Sequence, residues 1–211
     1  MSTDALLSAL VTLLVTVDPV GIAPIFLSVT EGMTKHERRI VALRATLIAL
    51  LILTFFVVGG QSLLHWLGVE LPAFRIGGGL LLFWIAFEMV FERRTDRKQA
   101  TAEVAVRQDH MRDIAAFPLA IPLMAGPGAI TAVILLASRS DGNVMAVLLL
   151  LLLVCAVMLA CLCVFMASER ISGLLGRTGS IVLSRLLGVL LTALAVQFVV
   201  DGIRELLVAP S

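Results

Sequence analysis

Apolar positions along this chain do not alternate with polar ones at either the helical or the strand period. They run on in six long stretches, approximately 5–29, 40–63, 71–91, 114–137, 143–167 and 181–207. Each is close to the ~20 residues that an α-helix needs to cross a bilayer. Most charged residues fall in the connections, the longest of which is 92–113. This pattern predicts an all-α membrane protein of six transmembrane helices. It also divides the chain into a first group of three spans (1–91), a loop (92–113) and a second group of three (114–211).

Composition agrees. Sixty per cent of the 211 residues are hydrophobic and 15% are charged, with a mean hydropathy of +1.06. Soluble domains run at roughly 45–50% apolar and about 25% charged, so that class is excluded. The net charge of +1 gives no reason to expect nucleic acid as a partner. If the N-terminus lies on one side, the opposite side receives 13 of the 16 Lys and Arg, leaving only Arg75, Arg139 and Arg204 on the first. Basic excess marks the cytoplasm, so both termini are expected to face outward. The N-terminal stretch lacks a basic leader and meets Asp18-Pro19 where a signal peptide would have a small-residue cleavage site, so it is read as a span. Cys155, Cys161 and Cys163 fall in one apolar stretch and read as packing residues. No His, Cys, Asp or Glu spacing suggests a metal, and no cofactor is expected.

Two stretches are interrupted in their middles, the first at Asp18-Pro19-Val20-Gly21-Ile22 and the fourth at Gly126-Pro127-Gly128-Ala129-Ile130. Proline removes a backbone donor and stops the helical ladder. Backbone groups freed at membrane depth are tolerated where they line a cavity or bind something. Corresponding breaks in two halves of a chain point to a transporter's binding site. The expected break positions are Pro19, Pro24, Pro122 and Pro127.

The halves also repeat weakly. Pro19 and Pro127 are 108 positions apart, and Arg75 and Arg185, each heading a span, are 110 apart. Three spans per half, an odd number, make this an inverted-topology repeat.

Asp18 is the acidic residue nearest the middle of a span. A carboxylate there costs about 2.5–3.5 kcal/mol on insertion scales and by default marks function. Asp before Pro is equally a good helix start, so Asp18 has a cap reading beside the functional one. Gly126 stands in the corresponding place, so the helix beginning at Pro127 is expected to present the bare amides of Gly128, Ala129 and Ile130 to an anionic group. Inverted symmetry would set these two breaks face to face. A small zwitterion suits them, its ammonium at Asp18 and its carboxylate at the amides. The candidate binding residues are Asp18, Gly21, Gly126, Gly128, Ala129, Ile130, Thr16 and Thr131, although threonine in a span commonly bonds its own helix. Glu88 is expected to snorkel to water, and Gln197 to bond between helices. Asp201, Arg204 and Glu205 read as an interfacial cluster, and Arg75 and Arg185 as anchors.

The run Asp18-Pro19-Val20-Gly21-Ile22-Ala23-Pro24-Ile25-Phe26 resembles the first signature of the MarC family of bacterial inner-membrane proteins. Residues Ala120 to Thr131 are similar to its second, and the likeness covers essentially the whole chain. The resemblance implies a six-span protein of the inner (cytoplasmic) membrane, related to neutral amino-acid transporters, some of which use an ion gradient. The expected function is secondary transport of small neutral amino acids or similar zwitterions, with a proton or sodium ion as the coupling partner. Efflux of hydrophobic or toxic compounds and a non-transporting scaffold are the alternatives. No nucleophile–base pair or phosphate loop supports an enzyme.

Overall fold

The structure is a computed structural model and describes residues 3–93, 114–140 and 143–208. Apart from Glu92 and Arg93, the connection 92–113 lies outside the described residues, as do Arg94 to Arg112 with their expected cytoplasmic placement. The described residues form α1 (Thr3–Val17), α2 (Pro19–Val29), α3 (Lys35–Trp66), α4 (Leu71–Val90), α5 (Ala115–Met124), α6 (Pro127–Ser138), α7 (Val144–Met166) and α8 (Ser168–Val208). Together α1 and α2 make one span, Asp4–Val29, while α5 and α6 are bent against each other by 55°. Four further helices or helix segments are long and apolar enough to cross a membrane. The protein is an integral, multi-pass membrane protein.

Local chemistry explains the boundaries. Thr34 caps α3 by accepting from the Glu37 amide, while the Glu37 carboxylate accepts from the Thr34 amide at 2.8 Å. That reciprocal capping box satisfies two of the donors a helix start leaves open. Inside α5, Phe117 (φ −132°, ψ 123°) and Ile121 (φ −123°, ψ 127°) are extended. Each precedes a proline, whose ring disfavours the helical region for the residue before it. Hence α5 is a wide, proline-interrupted coil. Pro24 does not act this way: α2 runs through it to Val29, so it is not a break. The sixth apolar stretch is part of a longer helix than expected, because α8 has 41 residues and begins at Ser168.

Lipid-facing surfaces are apolar, with Leu47, Leu51 and Phe55 of α3 exposed. The interior is built on small residues. A Cβ on Gly60 would lie 2.7 Å from Ile134, and one on Gly78 would lie 2.6 Å from the Thr131 methyl, so α6 nests closely between α3 and α4. The most extensive contact joins α4 to α8. Cβ atoms on Gly79, Gly188 and Gly202 would lie 2.9, 3.0 and 2.8 Å from the carbonyl oxygens of Ala195, Ala86 and Pro72. Small residues at such crossings let the two backbones approach.

Both ends of this α4–α8 pair are closed by ion pairs. Arg75, at the start of α4, meets Glu205 near the end of α8. Arg185 of α8 meets Glu92, just past α4, at 3.1 Å. Glu92 itself adopts a left-handed conformation (φ 66°), a common way to terminate a helix. These arginines are thus reciprocal partners across the pair. Beside Glu205, Arg139 binds Asp201 at 2.9 Å and lies 4.4 Å over the Phe198 ring. Gln197 donates to Asp201 on its own helix at 2.7 Å, so it does not bridge helices. Glu88, two residues before the end of α4, is buried among the neighbouring helices at 6% exposure and does not snorkel to water as expected.

Candidate functional site

The first break is a helix start inside a span. Asp18 is the N-cap of α2 and sits at φ 58°, ψ 66°. Side chains rarely adopt this left-handed region, which asparagine and aspartate tolerate best. Its Oδ1 accepts from the Gly21 amide at 3.0 Å, and its own carbonyl accepts from Ile22 at 3.2 Å. The side chain is 5% exposed. The cap reading of Asp18 is therefore correct as far as it goes. Gly21 belongs to the same device, since a Cβ there would lie 2.1 Å from Oδ2.

The second break repeats the plan without the carboxylate. Gly126 is the N-cap of α6, with no side-chain cap, and Pro127 takes the first helical position. The Ile130 amide donates to the Gly126 carbonyl at 3.0 Å, as Ile22 does to Asp18. Ile130 is therefore not an open donor, contrary to expectation; the first-turn amides are those of Gly128 and Ala129. Only glycine fits at 126, where a Cβ would lie 2.2 Å from the Pro122 carbonyl oxygen. Gly128 packs against Ile85 of α4, 2.4 Å from where its Cβ would be. Gly126, Gly128 and Ala129 are all buried.

Of the flanking threonines, Thr16 follows the bland expectation of a bond to its own helix. Thr16 donates to the Thr12 carbonyl at 2.7 Å, within its own helix. Thr131 is buried and turns its methyl to Gly78. Around the breaks α1 packs on α6 and α7, while α2 packs mainly on α8 and α7 and touches α5 only slightly. Asp18 lies over Gly21, whereas the first turn of α6 lies against α4.

A family model described as "MarC family integral membrane protein" matches residues 3–207. A UPF0056 membrane protein of Aquifex aeolicus is 39% identical over 207 residues, covering 94% of this chain and 92% of the relative. One from Archaeoglobus fulgidus is 38% identical, with the same coverage of each chain. The UPF0056 membrane protein YhcE of Escherichia coli is 34% identical, over 89% of this chain and 86% of its own. No solved structure gives a significant match.

Proposed function

The chain belongs to the MarC family of integral membrane proteins, and from that premise we propose that it is a secondary transporter of small neutral amino acids or similar zwitterions. The observation that carries this reading is the pair of unlike helix starts within two spans, one holding a buried carboxylate and the other bare amides. A carboxylate has about four acceptor sites, so capping Gly21 leaves capacity for a ligand ammonium or a coupling proton or sodium ion. The Gly128 and Ala129 amides, at the positive end of α6, suit the ligand carboxylate. Asp18, Gly126, Gly128 and Ala129 are buried, whereas Pro127 is exposed, so a ligand reaches the carboxylate and the amides only when the helices part.

We read the halves as an inverted-topology repeat. Support comes from the proline that follows the cap at both breaks, from the bonds of Ile22 and Ile130 to the cap carbonyls, and from the reciprocal Arg75–Glu205 and Arg185–Glu92 pairs, although the cap backbones differ, left-handed at Asp18 and extended at Gly126. On the same reading the protein is not an enzyme, it lies in the inner membrane, and both termini face the periplasm. Uptake of glycine or alanine into proteoliposomes under an imposed ion gradient tests the proposal. Transport by wild type that is lost in Asp18→Asn supports it; unchanged, gradient-coupled transport by the variant removes Asp18 from the mechanism.

A further inference from the structure

A cavity of about 450 Å³ opens where the end of α2, the start of α3 and the end of α7 meet. Lys35, Arg38 and Arg39 line it, over a floor made by Phe26 and Phe165. The two rings are stacked, with centroids 4.5 Å apart, and both are buried. Three cations from just over one helical turn therefore face an apolar base. Arg38 is anchored, its Nε donating to the Thr30 carbonyl at 3.2 Å. Lys35 and Arg39 are exposed, and among the described residues neither has an ion-pair partner. The adjacent acid, Glu37, is turned back onto Thr34. By contrast, the cavity of about 480 Å³ at the α3–α4 turn contains His65 and Glu70 but no Lys or Arg.

The length of α3 fixes the depth of the basic cavity. Its 32 residues extend about 48 Å, well beyond the ~30 Å hydrocarbon core. The charged stretch from Lys35 to Arg44, nearly three turns, takes up the surplus and lies at headgroup level. Met166, at the end of α7 on the cavity's rim, and Leu43 of α3 are exposed and apolar, giving acyl chains a surface just below.

We propose that this cavity binds the phosphate headgroup of an anionic phospholipid. Basic pockets between transmembrane helices suit such headgroups, and arginine matches phosphate geometry through paired donors. The capping box engages the Thr34 and Glu37 amides, and the side chains of Lys35, Arg38 and Arg39 supply the cations that hold the anion.

The test titrates the purified full-length protein in neutral detergent with dioctanoyl phosphatidylglycerol and follows the melting temperature and native mass spectrum. Dioctanoyl phosphatidylcholine, inorganic phosphate and glycerol phosphate run in parallel. The expected result is saturable stabilisation by phosphatidylglycerol alone, weakened tenfold or more in K35Q/R39Q and unchanged in R44Q, which removes an exposed cation two turns further along α3. Because Lys35 and Arg39 are exposed, the double variant should melt like wild type without lipid; should it not, R39Q alone must show the same direction of effect. Equal stabilisation by phosphatidylcholine, or equal weakening in R44Q, overturns the proposal. So does saturation by free phosphate or glycerol phosphate at the same concentration, which would identify a site for a soluble anion.

Discussion

The Gly21 amide donates to Oδ1 of Asp18 at 3.0 Å, and the same glycine leaves no room for a methyl beneath Oδ2. The cap and the charge of Asp18 are therefore separable by substitution. Asparagine caps helices about as well as aspartate and tolerates the left-handed conformation. Asp18→Asn is expected to melt close to wild type yet lose about tenfold or more in uptake, the scale of one hydrogen bond to a charged group. Asp18→Ala loses the cap as well, about 1 kcal/mol. Parallel melting curves and proteoliposome uptake check this; a variant normal in both leaves Asp18 as a cap alone.

The two glycines of the second break should differ in tolerance. At Gly126 a methyl meets a backbone oxygen, whereas at Gly128 it meets the tip of the Ile85 side chain, which can turn aside. Gly126→Ala is expected to cost about 1–3 kcal/mol, the usual range for overpacking, and Gly128→Ala less. Thermal unfolding of the two variants gives the order, and the reverse order would mean that residues 122–126 rearrange freely.

The ion pairs that close the α4–α8 pair are also unequal. Arg75 and Glu205 have 16% and 42% of their side chains exposed, and Arg75 also donates to Ser138. Arg185 and Glu92 are 53% and 33% exposed, in the range where a pair contributes about 0–1 kcal/mol. Double-mutant cycles should give a larger coupling for Arg75–Glu205. Reversing both charges in R185E/E92R should recover most of what R185E alone loses, and a failure to recover would show that the contact matters little.

Close glycine contacts and two terminal ion pairs make α4 and α8 a unit that moves together. In a background with Cys155, Cys161 and Cys163 replaced, R185C and E92C joined by a short bifunctional thiol reagent should therefore leave uptake intact. Loss of uptake on joining them would show that α4 and α8 separate during the cycle. Access to the breaks would then come from the two halves rocking apart as rigid bodies.

The spans and the helix starts at Pro19 and Pro127 were legible in the sequence, because both rest on local chemistry. Long apolar runs can only be buried in lipid or protein, and a proline stops a ladder wherever it stands. What depends on partners distant in the chain was not legible. Glu88 looks peripheral by position, yet the neighbouring helices bury it. Arg75 and Arg185 look like anchors until the pairing of α4 with α8 brings Glu205 to the one and Glu92 to the other. Ile130 looked like an open donor because no residue type announces that Gly126 would supply its acceptor. Pro24 misled in the opposite direction: a helix held by its neighbours can lose one hydrogen bond and continue.

Each clasp on the α4–α8 pair takes its arginine from one half of the chain and its carboxylate from the other. Neither half carries both members of either pair, so each holds the address of the other. A chain severed between residues 93 and 114 and expressed as two fragments should still find its register in the membrane. The same dependence sets a rule for inheritance: a charge lost from one half can be made good only by a change in the other.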